Sequence, residues 1–162
     1  MLSAVKERML REEGRPPSGW LGPFISQSAR TPELLVEAGF QYMLDWWFDD
    51  QPQSFATDNG PIIAVPYPSM EMNDIPALIN RGLSDADFEN MLIDAFDQQL
   101  EDSKKAPQVY AFAIHTFLMG QPHRVKILRR VLEHINAHSN DIWFTTPQKI
   151  AAHAKPYLTN HL

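Results

Sequence analysis

Cysteine is missing altogether from the 162 residues. That absence removes disulfide scaffolds, zinc ribbons and thiol nucleophiles together, because each needs a thiolate. Any bound metal has to use His, Asp or Glu. Glycine is scarce, and its seven copies are scattered so that GxGxxG, GxxxxGK and GxSxG are all absent. Phosphate-cradling loops and the serine elbow of the hydrolases are thereby excluded. No apolar run approaches the roughly 18 residues that a membrane helix needs. The opening MLSAVKERMLREEG has helical spacing but no continuous apolar core, so it does not read as a secretory leader. A cytoplasmic address is expected if Met1 is the true start.

Clustered positive charge is lacking too. Fourteen Lys and Arg stand against twenty Asp and Glu, for a net charge of −6. Residues 1–30 carry five basic and three acidic groups, residues 31–105 three and fifteen, and residues 106–162 six and two. An acidic centre with no basic stripe argues against nucleic acid as a partner, since phosphate recognition relies on grouped Lys and Arg. What is present is ordinary for a globular chain: 44% hydrophobic and 21% charged residues, at a length suited to one core.

Strand and helix patterns alternate along the chain. Leu2, Val5, Met9 and Leu10 recur at helical spacing, and Gly14 with Pro16 and Pro17 ends that helix. GWLGPF follows as a short segment. Thr31 precedes Pro32 as an N-cap for TPELLVEA, which Gly39 stops. GFQYML reads as a strand entering the loop DWWFDDQPQ, and PIIAVPYP as a strand buried on both faces. Ser84 caps a helix that carries Asp85 and Asp87 near its positive end and reaches about Lys104 and Lys105. QVYAFAIH is a second buried-strand pattern, followed by the helix PHRVKILRRVLEHINAH. IWFTT is expected as a short strand, and a last helix starts near Pro147 with Thr146 as its cap. The alternation predicts an α/β fold with four or five mainly parallel strands.

Chemistry-bearing residues collect where such folds place them, at the carboxyl ends of strands. His115 ends QVYAFAIH, and an imidazole there is a candidate acid or base near neutral pH. Asp45, Asp49 and Asp50 follow GFQYML among Trp46, Trp47 and Phe48, where aromatic walls can shift a carboxyl group. Arg15, between a helix stop and two prolines, is a candidate partner for one of the three. His134 and His138 form an HxxxH on one helical face, but without the internal Glu of a metalloprotease pattern it reads as a solvated face rather than a metal site. His123, His153 and His161 supply no second constellation.

The blocks GRPPSGWLGP, YMLDWWFDDQP, AVPYPSMEMND, FAIHTFLMGQPHR and IWFTTPQKIAAHA, in that order, resemble the C-terminal half of polysaccharide deacetylases of the nodulation-type group. They are most similar to the cytosolic branch near the cofactor-independent allantoinases. The resemblance covers nearly the whole chain, and it implies one partial domain over residues 1–162 forming the rear part of a distorted (β/α) barrel.

Hydrolysis of a non-peptide amide is the implied reaction, on an N-acetylated sugar or a small cyclic amide. Arg15 matches the family arginine that orients a catalytic aspartate, and Asp45, Asp49 and Asp50 stay open as its partner. His115 matches the histidine that protonates the leaving amine. Trp46, Tyr67, Asn73 and Asp74 match positions beside the substrate. The family's base aspartate and its HxxxH metal pair belong to blocks ahead of Arg15, where this chain has only 14 residues. His134 and His138 do not replace that pair, because they follow His115 and lie on a helix. So no metal is assigned to this chain, while a divalent ion belongs to a metal-using complete protein. The chain alone is expected to be inactive, completed by an N-terminal fragment. The runner-up reading is a noncatalytic remnant that binds carbohydrate or protein and forms a homo-oligomer through open barrel edges.

Overall fold

A run apolar at every position needs cover on both faces of its strand, and the run at residues 61–66 sets the architecture around it. The computed structural model describes residues 2–158; Met1 and His161 lie outside them. By contacts the chain divides into two units, residues 1–66 with 145–162, and residues 67–144.

The first unit holds helix α1 (Leu2–Glu13), strand β1 (Gly19–Trp20), helix α2 (Thr31–Glu37), strands β2 (Tyr42–Met43), β3 (Gln53–Phe55) and β4 (Ile62–Ala64), and helix α6 (Pro147–Leu158). Its sheet runs in the order β1-β2-β4-β3, with β3 antiparallel to β4 and the other pairs parallel. Side chains alternate along a strand. Ile62 and Ala64 therefore join Leu35 of α2, Phe40 and Met43 on one face, while Ile63 and Val65 meet Ala151 and Ile150 of α6 on the other.

Gly39, at φ +74, ends α2 where a side chain would be strained, and the Phe40 N–H returns to Leu35 O at 2.9 Å. Thr31 is the first helical residue rather than the cap; its hydroxyl accepts from the Ser28 N–H at 3.0 Å. Gly19 allows a close approach, since a Cβ there would lie 2.0 Å from the Tyr42 ring.

The second unit is built on helices α3 (Asp85–Asp102), α4 (Thr116–Met119) and α5 (Pro122–Ala137). Ser84 caps α3 as its sequence predicts, accepting from the Asp87 N–H at 3.1 Å. Phe88, Leu92 and Phe96 on α3 and Ile127, Val131 and Ile135 on α5 are stripes spaced four apart, and they form the core with Leu118 and Met119. Arg124 bonds Asp85, Arg130 bonds Glu89 and His134 bonds Asp97. Both numbers of each pair rise together, so α3 and α5 run parallel.

Two expected strands do not form. QVYAFAIH makes a single parallel bridge, Asn73 to Ala113, because the chain at Asn73 turns at once into a π-helical turn, Ile75–Asn80, and offers no longer ladder. IWFTT finds no extended neighbour among the described residues, and Phe144 is 87% exposed. The strand count of four is reached instead through the short strands β1 and β3.

Candidate active site

In the second unit, the lone bridge is what assembles the site. Ala113 N–H donates to Met72 O at 3.0 Å and Asp74 N–H to Ala113 O at 3.1 Å, which sets the 73–74 corner beside the segment ending at His115. Asp74 is fully buried, and its carboxylate is used twice by one residue. Oδ2 accepts from the His115 backbone N–H at 2.6 Å, and Oδ1 lies 2.6 Å from His115 Nδ1.

At this distance the carboxylate and ring Nδ1 share one proton between them, and Nε2 is left for other partners. The His115 side chain is 40% exposed. A buried acid thus holds an accessible imidazole in one orientation, the relationship that orients a histidine for proton transfer. The pairing is sequence-invisible: Asp74 resembled a substrate position, and nothing in its spacing linked it to His115.

The neighbours fill different roles. Tyr67 has its phenol pKa pushed up by burial and by the negative charge of Asp74. Asn73 is buried, and its Oδ1 accepts from the Ile75 N–H at 3.2 Å, so it serves the turn that carries Asp74.

In the first unit the three loop aspartates separate. Asp45 is partly buried, and its Oδ1 accepts from the Gly22 N–H at 2.6 Å. Burial pushes its pKa up, opposed by that bond and by the indole N–H of Trp20. The indole faces the carboxylate without the alignment of a hydrogen bond, since Trp20 Nε1 and Asp45 Oδ2 are both buried and unsatisfied. Gly22 is required there, because a Cβ would meet Ser26 O at 2.3 Å and Asp45 Oδ2 at 3.0 Å. The turn beside it holds Phe24 and Ile25 at φ 57° and 54°, a costly backbone for side-chain residues.

Asp49 is spent on its own loop, accepting from the Asp50 N–H at 2.7 Å and from Gln53 Nε2 at 3.3 Å. Asp50 is exposed. Trp46 stacks on Phe48 at 5.4 Å and 12°, and Phe48 on Phe55 at 5.7 Å. Arg15 is exposed and, among the described residues, makes no ion pair with any of the three aspartates.

One group of described residues has the makeup to hold a metal ion: Asp97 with His134 and His138. It does not fit a metal acting at His115. His134 lies about 18 Å along α5 from Pro122, at the end remote from the turn that follows His115.

What this geometry defines is an α/β protein with an oriented, accessible imidazole. No family model matches the chain. A Schizosaccharomyces pombe protein, provisionally named a polysaccharide deacetylase, is 32% identical over 98 residues, which are 59% of this chain and 30% of that protein. The structure of the Puue allantoinase superposes with a TM-score of 0.82 at 29% identity, covering 95% of this chain and 51% of that one. A Pseudomonas aeruginosa PAO1 protein, named a polysaccharide deacetylase with the same reserve, gives 0.80 at 28%, again over 95% and 51%.

The likeness carried by the five sequence blocks is thus a likeness to polysaccharide deacetylases and an allantoinase. The chain spans about half the length of those solved structures and under a third of the curated relative, consistent with a C-terminal half. Its mixed α/β fold, with a four-stranded and mostly parallel sheet, matches part of their barrel. No described helix is long and apolar enough to cross a membrane.

Proposed function

We propose that the chain supplies the proton-donating half of a hydrolase of non-peptide carbon–nitrogen bonds, acting on an N-acetylated sugar or a small cyclic amide. The observation that carries this reading is the Asp74–His115 pair, joined to the likeness to deacetylases and an allantoinase. Water attacks the amide carbonyl carbon and loses a proton to a carboxylate base, which the resemblance puts ahead of Arg15. His115 enters this step protonated on both ring nitrogens, and as the C–N bond breaks its Nε2 proton passes to the departing nitrogen, leaving the neutral ring with its proton on Nδ1. Asp74 stabilises the imidazolium before that transfer and holds the ring in place during it. No step is routed through a metal.

In the first unit, Asp45 is the aspartate we assign to Arg15, because its buried, unsatisfied Oδ2 has capacity for a further donor. Trp46, stacked on Phe48, offers an apolar face to a sugar or ring amide. Since the chain spans half of its solved relatives, the 162 residues alone are proposed to be inactive. Assaying the chain with and without restored upstream sequence tests this. Activity is expected only with the upstream part, lost on His115→Ala; full activity in that variant overturns the reading.

A noncatalytic binding module is the second reading, favoured by the sheet edges at β1 and β3, each with one strand neighbour, and by the exposed Phe144. It predicts a stable oligomer in sedimentation and no activity even with upstream sequence restored.

A further inference from the structure

Three cross-helix hydrogen bonds between ionisable side chains tie α3 to α5, with His123 Nε2 a looser 3.9 Å from Asp85 beside the first, and the last of the three differs from the others in kind. The first two set arginine against a carboxylate, Arg124 on Asp85 and Arg130 on Glu89. At the third step the cation is replaced by His134, whose Nε2 lies 2.7 Å from Asp97 Oδ1. One turn further along the same face stands His138, its ring centroid 5.5 Å from that of His134. An arginine ladder has no use for a second imidazole there. A cation site has.

We propose that Asp97, His134 and His138 bind a divalent transition ion of the zinc class, clamping α3 to the last turn of α5. One ligand atom from each of the three lies within 4.8 Å of the others. A tetrahedral zinc with bonds of about 2.0–2.2 Å separates its ligand atoms by about 3.3–3.5 Å, so small side-chain rotations close the set. Two imidazole nitrogens and one carboxylate oxygen suit zinc, nickel or copper rather than magnesium or calcium, which prefer oxygen alone. A fourth position is left to water.

The surroundings organise the ligands. Phe96, 3% exposed and fixed in the core, packs edge-on to His134 at 5.8 Å and against His138 at 5.7 Å. Asp141 Oδ2 stands 4.0 Å from His138 Nδ1, a carboxylate placed to support that ring from outside the coordination sphere. Both histidines sit at the carboxyl end of α5, where the helix dipole favours a cation. The site is distinct from the reaction proposed above, being remote from His115, and its role is to brace the helix layer of the second unit.

The test uses untagged full-length chain stripped with a chelator, then titrated with zinc against a chromogenic competitor and with cobalt while the visible spectrum is recorded. One equivalent is expected to bind, to give the d–d bands of low-symmetry nitrogen and oxygen coordination with cobalt, and to raise the melting temperature as free zinc increases. His138→Ala leaves the His134–Asp97 pair intact and is expected to weaken zinc about 10- to 100-fold and abolish the thermal shift. Asp97→Asn is expected to do the same. Failure to bind zinc, or binding untouched by both substitutions, overturns the proposal.

Discussion

The carboxylate of Asp74 meets His115 twice, at the backbone N–H and at ring Nδ1, both at 2.6 Å and across 41 residues of sequence. One acid therefore fixes both where the ring starts and which way it turns. Asparagine in its place has a single acceptor oxygen, so when that oxygen keeps the backbone N–H, the amide N–H₂ faces Nδ1 and donates where the carboxylate accepted.

For Asp74→Asn in the hydrolase completed by its upstream part, we expect kcat to fall about 10²- to 10⁴-fold with KM little changed. Nitrogen NMR of the His115 ring gives a readout independent of turnover. The wild-type ring is expected to carry its proton on Nδ1, and the variant ring to shift it toward Nε2. An unchanged tautomer together with an unchanged rate contradicts the orienting role.

Gly22 and Asp45 make a second linked pair. Gly22→Ala drives a methyl into Ser26 O and the Asp45 carboxylate, and is expected to cost about 1–3 kcal/mol in denaturant melts. The charge on Asp45 has its own signature. Burial raises its native pKa above the ordinary 3.8, so the folded state holds a proton that the unfolded state has released. Wild-type stability relative to Asp45→Asn is then greatest at low pH and falls as pH rises from 3.8 through the raised native value. Melts of both proteins between acid and neutral pH check this, and a difference that grows in favour of wild type with rising pH contradicts it.

Glu89 shows the opposite sign. The Arg130 guanidinium beside it holds its carboxyl below the ordinary 4.5, so the stabilisation is complete above that value and is lost as pH falls through the native one. Because half of the Arg130 side chain is open to solvent, Glu89→Gln is expected to cost less than about 1 kcal/mol at neutral pH. The loss should shrink in high salt and vanish in acid. A cost independent of both pH and salt points to packing instead.

Local rules were legible where their causes are local. Ser84 before Asp85 and Asp87, Gly39 after α2 and the four-residue stripes of α3 and α5 each act within one or two turns, and the structure keeps all of them. PIIAVP was legible as a strand buried on both faces because alternation was absent. The apolar patterns of QVYAFAIH and IWFTT misled, since apolar, extended-looking sequence becomes a ladder only if a neighbour runs beside it. The dipeptide strand β1 and the tripeptide strand β3 went unseen because they are too short to carry a period.

The site divides in the same way. His115 stood out as a titratable end to an apolar run, and the five blocks around it carried the family likeness without any coordinates. The acid that serves His115, the separation of Asp45 from Asp49 and Asp50, and the addition of Asp97 to an ordinary HxxxH were decided by tertiary structure alone. Residue type and spacing state what a side chain is able to do. Its partner depends on which distant backbone lies within about 3 Å, and that is settled by one bridge at Ala113 and by the parallel packing of α3 on α5.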